Sequence, residues 1–308
     1  MPELPEVQTT VNGLNKNVIG LSIKDVWTDY RSVSHVGKDN IKDKIFFANF
    51  RRKILGKKIL GASRRAKNVL IHLSGDLTVL IHMKMTGHIM YGQYVFNKNL
   101  KKDPWQAAEK DGPLADPYNR HLHLVFSLSS KKQLVLSDMR KFAKVTLIES
   151  KNPEESPHLA NLGPEPLPKE FTYAVFKKQI MRRPNGRIKN VLMDQELIAG
   201  IGNIYSDEAL FRAHIHPESH PAKIPEKNLK LLYPAIKGVL KKGLDFGGDS
   251  TSDYRNIKGE RGKFQAEHHV YRRAGKPCPK KGCKGKIVRK VVGGRSAHFC
   301  PVHQKLFK

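Results

Sequence analysis

A chain of 308 residues is too long for one compact core and about right for two domains. Hydrophobic residues make up 39%, enough for packed cores, but no run of about 18 apolar residues predicts a spanning helix, and no basic-then-apolar leader predicts a secretory signal. Lys and Arg number 56 against 28 Asp and Glu, and the resulting +28 is spread along the chain, which implies a polyanionic partner, nucleic acid before an anionic membrane surface.

The chain opens MPELPEVQTT. Pro2 and Pro5 suit the first turn of a helix, where a missing N–H costs nothing. Glu3 and Glu6 complement the positive end of the helix dipole. Val7, Val11, Leu14 and Val18 then recur at helical spacing, and Gly20 is a stop. Helix initiation alone therefore accounts for much of this segment. Strand patterns follow. Residues 69–74 and 77–85 alternate around Gly75-Asp76, a hairpin turn. Residues 121–129 and 133–139 form a second pair. The polar stretch 91–119 between them, with Trp105 and several Gly and Pro, reads as a long excursion.

Near residue 150 the acidic, proline-bearing ESKNPEESP marks a linker. Helical patterns come next, in FTYAVFKKQI, IKNVLMDQELIAG, IYSDEALFRA and NLKLLYPAIKGVLKKGL. At Ala199-Gly200-Ile201-Gly202-Asn203, glycines precede a helix start. Backbone can approach a ligand there, and unpaired N–H groups face an anion. Lys189 supplies a nearby charge and Asn203 a side-chain donor. By itself this junction is also an ordinary helical hairpin.

All three cysteines lie in the last segment, too few for a disulfide framework, which fits a reducing cytoplasm. Cys278-x4-Cys283 and Cys300-x2-His303 bracket a strand-like hairpin. Three thiolates and one imidazole would close a tetrahedral shell around one structural Zn2+. His298 is a further candidate for the fourth place. Arg295, in GGRS at the hairpin turn, suits a phosphate clamp.

In order, MPELPEV, SRRAKNVL, MKMTGHI, DMRKFA, LGPEPL, MDQELIAGIGNIYSDEALF and GRSAHFCP resemble the formamidopyrimidine-DNA glycosylase family. The resemblance runs from Met1 to about Gln304. Leu4 and DMRKF look more like this branch than like the endonuclease VIII branch, which begins MPEGPE. The resemblance implies an α+β protein: an N-terminal β-sandwich with flanking helices at 1–150, a helix–two-turn–helix domain at 151–264, and a zinc-finger β-hairpin at 265–308. It implies base-excision repair by a bifunctional glycosylase and AP lyase acting on oxidised purines in damaged double-stranded DNA. The protein would be a monomer, cytoplasmic and nucleoid-associated if bacterial, with the DNA lying in a basic cleft. Oxidised pyrimidines are the close alternative substrate, and a catalytically idle damaged-DNA binder is the alternative from another class.

The family's roles map onto matching positions. After removal of Met1, Pro2 would be the amine nucleophile. Glu3 would be the general acid/base, Glu6 a positioning carboxylate, and Lys67 the second essential amine. Met85, Arg140 and Phe142 would fill the gap left by an extruded base, and Lys189, Asn203 and Arg295 would grip phosphates. Thr251, Ser252 and Tyr254 would contact the lesion from a loop within 249–263. The chain departs from the family at three points. The first knuckle is usually C-x2-C, the last ligand is usually Cys where His303 stands, and the usual D-P-R-R-F-G is Asp138-Met139-Arg140-Lys141-Phe142-Ala143.

Overall fold

The computed structural model describes residues 1–308, which divide into two compact units. Met1–Ala160 and Phe246–Lys263 form the first, and Asn161–Asp245 with Phe264–Lys308 the second. The division differs from boundaries at 150 and 264. Segment 246–263 returns to the first unit, and the cysteine hairpin belongs with the helices.

In the first unit, helix α1 (Leu4–Asn17) leads to β1 (Ile23–Thr28) and helix α2 (Lys44–Ile54). β2 (Ile59–Arg65), β3 (Asn68–Leu73) and β4 (Leu77–His82) follow as a meander. Gly75 and Asp76 both have positive φ, the backbone that a two-residue hairpin requires. The strand expected to reach 85 ends at His82, and Lys84 turns left-handed at φ 54°. β5 (His88–Gly92), β6 (Tyr94–Phe96), β7 (Trp105–Ala107), β8 (Leu122–Leu128), β9 (Gln133–Ser137) and β10 (Lys144–Glu149) complete the unit.

The strands form two four-stranded antiparallel sheets, ordered β1-β8-β9-β5 and β10-β4-β3-β2, while β6 and β7 pair separately. One apolar core takes side chains from both large sheets: Val26, Phe126 and Leu136 from the first, and Val69, Ile71 and Val79 from the second. α1 adds Val7, Val11 and Leu14, and α2 adds Phe50 and Ile54. The helical spacing read at the N-terminus is thus a core-facing stripe.

The second unit holds α3 (Tyr173–Ile180), α4 (Ile188–Met193), α5 (Asn203–Arg212), α6 (Glu226–Asp245) and the hairpin β11 (Val288–Val292) and β12 (Arg295–Phe299). The helical pattern over 188–200 stops at Met193, because Gln195 closes a turn there. Its amide accepts from Gly200 N and donates to the Met193 and Ile201 carbonyls. No helix is long and apolar enough to cross a membrane.

α5 is unusual in burying two adjacent acids. Asp207 Oδ1 meets Lys189 Nζ at 2.5 Å, and Asp207 Oδ2 accepts from His298 N at 2.9 Å. Glu208 accepts from the backbone N–H groups of His269, Val270 and Tyr271. Buried charges persist only when compensated in this way. Burial opposes ionisation of Glu208, yet His269 and the three N–H donors hold its carboxyl below the usual range.

A carboxyl lowered in the folded state contributes stability above its unfolded value near 4.5, and that contribution is lost as pH falls through the folded value. Glu208→Gln should therefore lower stability at pH 7 by about 2–3 kcal/mol and flatten the acid limb of the stability curve. Urea midpoints from pH 7 down to pH 3 read both effects. An unchanged acid limb would mean that Glu208 is not the anchor of 269–271.

Candidate functional site

The start of α1 is held rather than frayed. Glu3 and Glu6 are 2% and 1% exposed, and Pro2 is buried while Met1 is exposed. Glu3 N donates to Glu6 Oε2 at 2.7 Å, and Asp249 N donates to Glu6 Oε1 at 2.7 Å. One carboxylate thus joins the first residues to a loop 243 positions away. Tyr254 OH donates to the Glu6 carbonyl, and Ile257 packs where a Cβ on Gly13 would have to stand, 2.5 Å from Cγ2.

Lys67 sits in the β2–β3 turn after Ala66, whose φ is 52°, and is 4% exposed. Arg64 Nε donates to Gln8 Oε1 at 3.0 Å, while Asn15 bonds Ala62 further along, so this turn lies toward the start of α1. Burial, with the charges of Lys84 and Lys67, pushes His82 down to about 3. That histidine is neutral at pH 7, and its Nδ1 accepts from Lys84 N.

Met85, Arg140 and Phe142 come together from two loops. Arg140 Nη1 lies 3.1 Å from Met85 Sδ, and its guanidinium stands 4.4 Å from the Phe142 ring centroid. Met85 and Phe142 are 44% and 47% exposed, and Met139 beside them is 47% exposed. Apolar side chains this exposed, stacked with a cation, form a surface wedge rather than core. Asp138 shapes the loop beneath them. Wholly buried, it accepts from Tyr30 OH, Thr86 Oγ1 and Ala143 N. Lys141 takes the left-handed turn at φ 53°.

The loop 249–256 differs from expectation. Tyr254 is buried and committed to Glu6, so it is not available to a ligand as a lesion contact must be. Thr251 turns back on Asp249 through its N–H and hydroxyl, and Ser252 is exposed. Sequence reasoning missed the clamp on this loop. Arg255, 2% exposed, donates to the Ser252 and Tyr254 carbonyls and forks onto both Asp116 oxygens. Asn119 Nδ2 bonds the Gly259 carbonyl. Nothing in the spacing links Asp116 to a residue 139 positions on.

In the second unit, Lys189 is 0% exposed, and its ammonium is spent on Asp207 and the Asn203 carbonyl. It does not stand at the surface as a direct phosphate grip requires. Asn203 opens α5, and its Oδ1 is buried with no partner in the protein. Arg295 is exposed at the β11–β12 turn, and Asn190 ties that turn to α4 through the Gly293 carbonyl.

The sulfurs of Cys278, Cys283 and Cys300 lie within 4.8 Å of one another, with Cys283 and Cys300 3.7 Å apart. Two sulfurs bound to one tetrahedral zinc stand about 3.8 Å apart for Zn–S near 2.3 Å, so the set fits a metal ion. Burial pushes the Cys278 thiol up to about 12, so a cation is needed to make it a thiolate. His303 departs from expectation. Its Nε2 stands 3.0 Å from His214 Nδ1 and 3.2 Å from the Phe211 carbonyl, outside the thiol set. His298 is committed to Asp207.

Asp116→Ala should leave the Arg255 guanidinium buried and unpaired, at a cost of about 3 kcal/mol. Amide exchange over 249–256 should then accelerate ahead of that of the β-sheet core. Unchanged exchange in this loop would show that the clamp does not hold it.

Two family descriptions match the chain: the formamidopyrimidine-DNA glycosylase N-terminal domain over residues 1–145 and the formamidopyrimidine-DNA glycosylase H2TH domain over residues 162–255. The formamidopyrimidine-DNA glycosylase of Pelotomaculum thermopropionicum is 37% identical over 308 residues, covering 99% of this chain and 100% of that protein. That of Bacillus subtilis is 36% identical, covering 97% and 98%. A solved complex of Lactococcus lactis Fpg with DNA containing an abasic site superposes with a TM-score of 0.80 at 31% identity, over 98% of this chain and 99% of that one. A complex of the wild-type Lactococcus lactis protein with DNA containing an oxidised pyrimidine gives 0.79 at 31% identity, over 99% and 100%.

Proposed function

The chain belongs to the formamidopyrimidine-DNA glycosylase family, and on that premise we propose that Pro2, freed by removal of Met1, is the nucleophile that excises oxidised purines from duplex DNA. The family's activity is bifunctional, a DNA glycosylase joined to an AP lyase. The observation that carries the reading is the grip of Glu6. A terminus fixed by two charge-assisted hydrogen bonds can aim an amine, whereas a frayed one cannot.

The steps follow from a secondary amine with an α-amino pKa of about 8. The Pro2 nitrogen bonds to C1′ as the glycosidic C–N bond breaks, and the base leaves with a proton. Opening of the sugar gives an iminium, which draws electrons from the C2′–H bond. Loss of that proton expels the 3′ phosphate, and a second elimination expels the 5′ phosphate. Glu3, buried beside the nucleophile, is the group to carry these protons. Lys67 assists from the β2–β3 turn.

Extruding a base costs a few kcal/mol. Met85 and Phe142 would restore stacking, and Arg140 between them would bond the widowed partner base. Asn203 and Arg295 would hold phosphates of the lesion strand, with Lys189 positioning the start of α5 from inside. Ser252 and Thr251 are the members of the 249–256 loop left to meet the lesion. Oxidised pyrimidines are the second reading, favoured by the likeness to a protein bound to such DNA.

The three thiolates would hold one structural zinc, which supplies a covalent brace to a hairpin with little core of its own. Cys278, Cys283 and Cys300 are the residues that would bind it. His303 completes the shell only if its ring turns away from His214.

Borohydride added during reaction with a duplex bearing 8-oxoguanine opposite cytosine should trap an adduct, and peptide mapping should place it on Pro2. A version that keeps residues ahead of Pro2 should lose the lyase step by about a thousandfold or more. Full lyase activity in that version would overturn the proline assignment. Elemental analysis should find one zinc per chain, falling in Cys283→Ala, and chelation should lower the unfolding midpoint. A chain free of zinc with an unchanged midpoint would remove the metal from the reading.

A further inference from the structure

The loop 138–143 rests on a segment that has no part in the chemistry above, residues 29–43, which join β1 to α2 within the first unit. Asp138 fixes one point of the loop, as Tyr30, Thr86 and Ala143 all donate to its carboxylate. Lys141 is the other fixed point. It takes the left-handed backbone at φ 53°, which a residue with a Cβ keeps only when its surroundings impose it. Two groups of segment 29–43 hold it there. Lys42 Nζ donates to the Lys141 carbonyl at 2.6 Å, and Asp29 Oδ2 accepts from Lys141 Nζ at 2.9 Å.

Lys42 stands as a rigid post. It is 8% exposed, and its ammonium also lies 5.4 Å from the Tyr30 ring centroid. The backbone beneath it is pinned on both sides. Ile41 N donates to the Val145 carbonyl, Lys42 N donates to Asn40 Oδ1, and the Lys42 carbonyl accepts from Ser32 N. Burial pushes the Lys42 amine below the usual lysine range, so its place is costly. Buried cations elsewhere in this chain meet acids, as Lys189 meets Asp207 and Arg255 meets Asp116. Lys42 instead gives its hydrogen bond to a main-chain carbonyl of the wedge loop. Asp29 is steadied in turn by His123 Nδ1 at 2.8 Å.

Lys141 lies between Arg140 and Phe142, and its carbonyl belongs to the peptide plane that leads into Phe142. Holding that carbonyl stops the plane from turning over, and no proline at 139 does so instead. The Arg140 guanidinium then stacks on the Phe142 ring before any partner arrives, 4.4 Å from its centroid. A pair set in advance pays no ordering cost when it enters a duplex.

We propose that Lys42, assisted by Asp29, is a positioning residue for base extrusion: by clamping the Lys141 peptide it presents Arg140 and Phe142 as a preformed pair, and so governs both insertion and the reading of the base opposite the lesion. This role rests on the reading of Met85, Arg140 and Phe142 as the groups that fill the opened duplex.

Lys42→Met removes the ammonium and keeps the apolar stem against Tyr30. Asp29→Asn weakens the half-exposed ion pair and should have the smaller effect. Each full-length variant is bound at saturation to a duplex with a stable abasic-site analogue and 2-aminopurine beside the orphaned base, whose fluorescence rises as its neighbour unstacks. Wild type should give the rise, and Lys42→Met about half of it or less, as expected for loss of one charge-assisted hydrogen bond. Single-turnover excision of 8-oxoguanine should slow about tenfold in Lys42→Met, and the ratio of rates opposite cytosine and adenine should change about threefold. Affinity for undamaged duplex should stay within about twofold, since phosphate contacts dominate it. Mere destabilisation lowers the active fraction by one factor in every assay and leaves the ratio unchanged. Equal fluorescence and an equal ratio in wild type and Lys42→Met overturn the clamp while leaving the glycosylase reading intact. Fluorescence that falls in the variant of a protein excising no oxidised base supports the clamp and overturns the glycosylase reading.

Discussion

The carboxylate of Glu6 is the constraint on which the proposed catalytic end depends. Its two oxygens accept from Glu3 N and Asp249 N, and hydrogen bonds to a charged group contribute about 1.5–3 kcal/mol each. Burying that charge without both donors would cost more than it returns, so Glu6, the N-terminus and the 249–256 loop form as one arrangement. The Tyr254 hydroxyl on the Glu6 carbonyl and Ile257 against Gly13 fasten the loop along the same helix. In the proposed reaction Pro2 would be an aimed group because Glu6, four places on, holds the backbone behind it.

The cations divide by burial. Lys189 and Arg255 are among the most deeply buried side chains, and each is matched by an acid, Asp207 and Asp116. Desolvation leaves no alternative, since an unpaired cation at those positions would be expelled or neutralised. These two positive charges therefore act inward, as braces for α5 and for the loop. Exposed cations such as Arg140 and Arg295 face solvent, and in the proposed function they would carry the attraction for a polyanion that the +28 implies.

Asp138 plays the part of an internal post. With no proline beside it, three donors on one buried carboxylate set the path of residues 139–143. That path puts Arg140 between Met85 and Phe142 and leaves both apolar side chains in solvent. The same logic operates at Gln195 and Glu208, where a single polar side chain ends a helix or pins a segment. Loops with few apolar residues acquire definite shape in this protein from buried acceptors rather than from packing.

Local features were legible along the chain because spacing reports them. The helix start at Leu4, the left-handed Gly75-Asp76 turn, the two strand pairs and the cysteine separations each involve neighbours in sequence, where periodicity and turn chemistry suffice. The family, too, was legible, since its motifs are short and ordered. Side-chain fate was not. Tyr254 turned inward to Glu6, Lys189 was consumed by Asp207, His303 faced His214 instead of the thiols, and Arg255 found Asp116 across 139 positions. Each outcome is decided by which polar group lies within about 3 Å once the chain has packed. Only the tertiary structure selects those partners, because residues far apart in sequence meet through the packing of whole elements, which the spacing of one segment does not record.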